Sequence, residues 1–108
     1  MSLVPDKRVE EALGRIARSD SLSAELHMKA ERAEFRAKAT RDAVFLRMAG
    51  GVEERKATAG TSQEYGASMD EYFAALQAFE TLKNEREREF LVVDVWRTCQ
   101  ANARKGNI

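Results

Sequence analysis

Residues 63–101 read QEYGASMDEYFAALQAFETLKNEREREFLVVDVWRTCQA. Within this stretch Tyr65, Met69, Tyr72, Leu76, Phe79, Lys83, Arg86, Phe90 and Val93 alternate at spacings of four and three, the stripe of a coiled-coil seam. At about 1.5 Å of rise per residue, a helix of about 40 residues is about 60 Å long. That is too long to stand alone in a chain of 108 residues, so the stripe needs cover from another segment or from a second copy. The expected fold is all-α: an antiparallel long helical hairpin, coiled-coil-like, with a short N-terminal helix, forming a single helical domain over residues 1–108.

The segments before this stretch supply the cover. Pro5 stands where proline is tolerated, at a helix start. Val9, Leu13 and Ile16, with Ala12 between them, mark one face of a helix over residues 6–18. Ser19-Asp20-Ser21 competes with the helical backbone and offers N-caps, which predicts a corner and a second helix over residues 22–49. The stripe of that second helix, Leu26, Ala30, Ala33, Ala37, Thr40, Val44 and Met48, is built mostly from small side chains. Against the Tyr, Phe and Leu positions of the long helix it would fill space small against large. Charge agrees: residues 29–56 hold eight basic side chains against five acids, and residues 63–94 hold three against eight. Opposite arms attract and favour one register, although each exposed pair is worth only about 0–1 kcal/mol.

Gly50-Gly51 closes the second helix, and Val52 to Ala57 predicts a short helix over residues 52–58, ending before Gly60. Thr61-Ser62-Gln63-Glu64 and Ser68-Met69-Asp70-Glu71 both match a capping box. Gly66, costing about 1 kcal/mol inside a helix, favours the later start; the outer bounds of the long helix are residues 63–101. Phe90-Leu91-Val92-Val93 is the one run with strand character, and it lies inside the helical period.

Eighteen basic residues balance eighteen acidic ones, which gives no global pull toward nucleic acid or membrane. The lone Cys99 cannot form an internal disulfide, and no apolar run approaches the about 20 residues that span a bilayer. These features lead us to expect a soluble protein of the cytoplasm.

The residue types for catalysis are scattered. No lysine-terminated phosphate loop accompanies Gly50-Gly51. His27, with Glu31 one turn on, makes at most half a metal site, and Cys99 lacks the second histidine of a dyad. The pairs Glu10-Glu11, Glu53-Glu54 and Asp70-Glu71 are adjacent rather than aimed at one point, and suit solvation and helix starts. The expectation is a non-enzymatic protein with no cofactor and no metal.

Two regions remain for interaction. Lys83 and Arg86 stand at seam positions where apolar residues are expected; either they set register, or the stripe drifts and Leu82 and Glu89 take over. Beyond them Phe90, Leu91, Val92, Val93, Val95 and Trp96 crowd more than one helix face, which calls for cover on several sides. Phe90, Val93 and Trp96 are the candidate interface of a homo-oligomer, with a dimer favoured, or of a protein partner. The last twelve residues hold Arg97, Arg104 and Lys105 and no acid. With the basic face of the second helix they form the alternative, a contact to DNA or RNA, although no aromatic is interleaved for stacking on bases.

Val95-Trp96-Arg97, the run Asn102-Ala103-Arg104-Lys105-Gly106-Asn107-Ile108, and Glu53-Glu54-Arg55 after the glycine pair resemble a group of small all-helical proteins of tailed phages and prophages. The likeness covers most of the chain from about residue 20, and its motifs are short. Members of that group tend to be encoded among replication and recombination genes, so the resemblance implies an accessory role in phage DNA metabolism. It carries over no functional residue.

Overall fold

A computed structural model of the chain describes residues 3–106. Among them it contains three helices and no strand: α1 (Asp6–Arg47), α2 (Val52–Gly60) and α3 (Gln63–Arg104). The all-α helical hairpin is therefore the fold, with α1 and α3 as its antiparallel arms and α2 in their connection. Contacts group the chain into two compact units. The terminal unit joins Met1–Ser23 to Glu80–Ile108, and the turn unit is Ala24–Phe79. Asn107 and Ile108, part of the phage-like run, lie outside the described residues.

The corner expected at Ser19-Asp20-Ser21 is absent, and the separate helices over 6–18 and 22–49 are one helix. Ser19 does not break it, because its Oγ donates back to the Arg15 carbonyl (2.7 Å) and lies 3.3 Å from that of Ile16. A serine inside a helix costs only about 0.5 kcal/mol against alanine. The seam explains why continuity wins: Val9, Ala12, Ile16, Ser19, Ser23, Leu26, Ala30, Ala33, Ala37, Thr40 and Val44 are all buried or half-buried. These positions keep spacings of three and four without interruption, so a corner would throw one half off the shared face. The face of the first turns is accordingly Ala12, fully buried, and not Leu13, which is 51% exposed.

Gly50 takes a φ of 112°, and a Cβ there would also meet the Glu54 carboxylate at 2.6 Å, so glycine fits on both counts. Arg55 ties α2 to the end of α1: its Nε and Nη2 donate to the Phe45 carbonyl (3.2 and 3.1 Å), and its guanidinium lies 4.2 Å from the Phe45 ring centroid. α3 starts at the earlier of the two capping candidates. Ser62 Oγ accepts from the Tyr65 amide (3.2 Å), while Thr61 turns back to donate to the Ala57 carbonyl (2.9 Å). Ser68, the later candidate, sits inside the helix and donates to the Thr40 hydroxyl across the turn unit (3.2 Å).

Within the turn unit, Ala30 and Ala33 pack on Ala75, with Tyr72 beside them. The tyrosine meets the alanines as expected, but alanine also meets alanine, which brings the two backbones close. Arg36 pairs with Glu71 (2.9 Å) and Arg47 with Glu64, so opposite charges do bridge the arms.

The seam of α3 is half what its apolar residues suggest. Tyr65, Tyr72, Phe79, Arg86 and Val93 are buried or half-buried, but the positions alternating with them are Ser68, Ala75, Leu82 and Glu89. Lys83 and Phe90 are exposed, and Met69 and Leu76 only flank the seam.

Candidate interaction surface of the terminal unit

The first turns of α1 and the last half of α3 meet around Val9, Ala12 and Val93, with Ile16, Val92 and Trp96 packed against them. Trp96 turns its indole Nε1 to donate to Asp6 Oδ1 (2.9 Å), so the ring is held by one polar bond and an apolar wall. Of the three expected interface residues, Val93 is thus core at 6% exposure and Trp96 is half-buried. Only Phe90 is outward, at 46%, beside Leu91 at 61%.

One turn back along the seam is a carboxylate. Glu89 Oε1 accepts from Arg15 Nη1 (2.9 Å) and Arg8 Nη2 (3.1 Å). Arg8 Nη1 also approaches Oε2 to 2.8 Å, an ion pair without hydrogen-bond alignment. The hydrogen bonds from Arg8 and then Arg15 hold the Glu89 carboxyl below the usual carboxylate range, against the opposing effect of burial. The same bond raises Arg8 further above its ordinary value. Arg15 and Arg8 stand seven residues apart on one face of α1 and so can close on Glu89 from both sides.

Arg86 enters the seam one turn further on. Its Nη1 donates to the Ile16 carbonyl (2.8 Å) and to Ser19 Oγ (2.7 Å), and its Nη2 pairs with Asp20 Oδ1 (3.3 Å). The expectation of charge in the seam therefore divides: Arg86 occupies it, and Lys83 gives way to Leu82. The stretch around residues 83–88, charged all round in sequence, is helical and fastened to α1. A groove of about 900 Å³ runs over this region, its lining including the apolar Ile16, Leu22 and Leu91 and the cationic Arg8, Arg15 and Arg86. Such a surface can take the apolar face of a helix and the acids beside it.

Arg97, Arg104 and Lys105 are exposed, and none is in an ion pair among the described residues. Cys99 is half-buried. In the turn unit, His27 rests edge-on against Phe79 (4.9 Å) with Nε2 3.9 Å from Glu31. Among the described residues no three His, Cys, Asp or Glu side chains group to hold a metal, and no helix is long and apolar enough to cross a membrane. The arginine clamp on Glu89 was not singled out from sequence. Its signal was a pair of arginines at heptad spacing opposite a carboxylate in the drifted frame. No family model, curated protein or solved structure matches the chain.

Proposed function

We propose that the protein is a non-enzymatic interaction protein that works as a homo-oligomer, in an accessory role in phage or prophage DNA metabolism. The role rests on the resemblance to phage proteins; the interaction reading rests on where the apolar side chains lie. Among the described residues the buried apolar side chains are alanines and valines, with Glu89 buried beside them. Leu13, Leu22, Met28, Phe35, Leu46, Val52, Phe73, Phe90 and Leu91 are each 46% exposed or more. These side chains are available to a surface that a partner covers. Light scattering between about 1 and 100 µM, a range that spans ordinary dimer affinities, should give the mass of a dimer. A monomer throughout would remove the reading.

The alternative, nucleic-acid contact, draws support from three exposed tail cations, Arg97, Arg104 and Lys105, with Arg97 and Arg104 on one helix face. The basic face of α1 adds little to it, because Arg36, Lys38 and Arg47 are already paired with Glu71, Glu34 and Glu64. Binding to single- and double-stranded DNA across a salt series tests it. A steep salt slope lost on replacing Arg104 and Lys105 would promote this reading, and no binding at low salt would remove it.

A further inference from the structure

The outer side of α1 in the turn unit carries a second stripe, of exposed residues. Met28, Arg32, Phe35, Ala39, Asp42 and Leu46 follow one another at spacings of four and three, on the side turned away from the seam residues Ala30, Ala33 and Ala37. Met28 is 50% exposed, Phe35 74% and Leu46 75%, and Ala39 is exposed as well. The stripe is matched to its own reverse about residue 37: Met28 stands opposite Leu46, Arg32 opposite Asp42, and Phe35 opposite Ala39. A stripe that is complementary to its own reverse is what an isologous antiparallel contact requires.

We propose that this face is the homodimer interface, with two copies of α1 packed antiparallel about a two-fold axis near residue 37. Each layer then fits. Met28 meets the partner's Leu46 as apolar against apolar, and Phe35 fills the space left by the partner's Ala39. Arg32 meets the partner's Asp42. Arg32 has no carboxylate partner within the described residues, and Asp42 has only a 3.7 Å approach from its neighbour Arg41. The cations flanking the stripe, Arg36 and Lys38, are already bridged to Glu71 and Glu34, so they add no unpaired charge near the axis. A parallel pairing would set Phe35 on Phe35, Arg32 on Arg32 and Asp42 on Asp42, and is disfavoured by both size and charge. This inference rests on the homo-oligomer reading and specifies its surface.

Charge reversal tests the pairing, with mass and affinity read by sedimentation. Arg32→Glu sets Glu against the partner's Asp42 at two symmetric places, and Asp42→Lys sets Lys against the partner's Arg32 at two. Each variant alone should dissociate about tenfold more readily than the wild type or worse. An equimolar mixture of the two should recover the wild-type affinity as a one-to-one heterodimer, because both contacts become attractive. The double variant Arg32→Glu/Asp42→Lys should recover it as a homodimer, which keeps the test decisive if one single variant folds poorly. Singles that remain as tight as wild type, or singles whose weakness neither the mixture nor the double variant relieves, overturn the proposed interface while leaving self-association standing. A wild type that is itself monomeric overturns the broader reading.

Discussion

The two units use one helical repeat in opposite ways. In the turn unit the seam is alanine against alanine, with Ala30, Ala33 and Ala75 nearly inaccessible and Tyr72 filling the space beside them. Each alanine buries little area, so stability comes from close approach of the backbones and from exclusion of anything larger. In the terminal unit the same seam carries Glu89 and Arg86, which are costly to desolvate and hold only because Arg8, Arg15, Ser19 and the Ile16 carbonyl meet them. The turn unit is intolerant of size, and the terminal unit is intolerant of misregister. A heptad slip would leave Glu89 with one arginine where two now meet it.

The largest effect should come from breaking the size rule. Ala33 is 1% exposed, and Ala33→Leu has to push α1 and α3 apart in the turn unit. The expected loss is about 3 kcal/mol, read as a lowered denaturant midpoint. A loss under about 0.5 kcal/mol, the range of ordinary surface changes, would mean that the alanine seam is slack.

Next comes the polar rule. Glu89→Gln keeps the shape and removes the charge that two arginines share, so the terminal unit should lose about 1–2 kcal/mol. The value is reduced from that of a fully buried pair because the Arg8 and Arg15 side chains are 34% and 57% exposed. A chain of this size should melt about 5–10 °C lower. Trp96 packs on the same cluster as Val9 and Val93, so its fluorescence should report the loss before far-ultraviolet circular dichroism does. Coincident shifts in both probes would show that the two units melt together.

Acid gives a smaller version of the same test. The carboxyl of Glu89 titrates below its ordinary value, so its contribution is fully present above the unfolded value of about 4.3 and is lost as pH falls through the lower folded value. The wild-type melting temperature should therefore drop below about pH 4, with the Trp96 signal leading. Glu89→Gln should show a shallower drop by that signal. Glu34, held low by Lys38 and then by Tyr72, lies in the turn unit and should keep its own acid sensitivity in both proteins.

How much of this was legible in the sequence follows from the same contrast. The α1 seam from Leu26 to Val44 could be read directly, because its small residues fall on the frame and charged residues fall off it. On α3 the true seam holds Ser68, Ala75 and Glu89 while the apolar Met69, Leu76 and Phe90 stand one residue later, so hydrophobicity pointed beside the seam. The false corner at Ser19 has a related cause: a serine that marks a break when its hydroxyl is free can sit in a helix when it donates to Arg15 and accepts from Arg86. Of the expected interface, Val93 belongs to the intramolecular core and the half-buried Trp96 packs against it. Apolar density called for cover, and the first turns of α1 supply much of it.

The smallest expected effect separates the two frames of α3 most cleanly. If hydrophobicity named the seam, Lys83 would be a charge held between helices, and Lys83→Leu would remove its desolvation cost and raise stability by about 1 kcal/mol or more. In the structure Lys83 is exposed and its neighbour Leu82 is half-buried in the groove beside Arg86. Lys83→Leu should then change the denaturant midpoint by less than the equivalent of about 0.5 kcal/mol. Leu82→Ala should cost about 1–2 kcal/mol, less than a fully buried leucine because the site stays partly open. A clear gain at residue 83 with no loss at residue 82 would return the seam to the frame written by the apolar residues. It would also take Glu89 out of the position on which the arginine clamp depends.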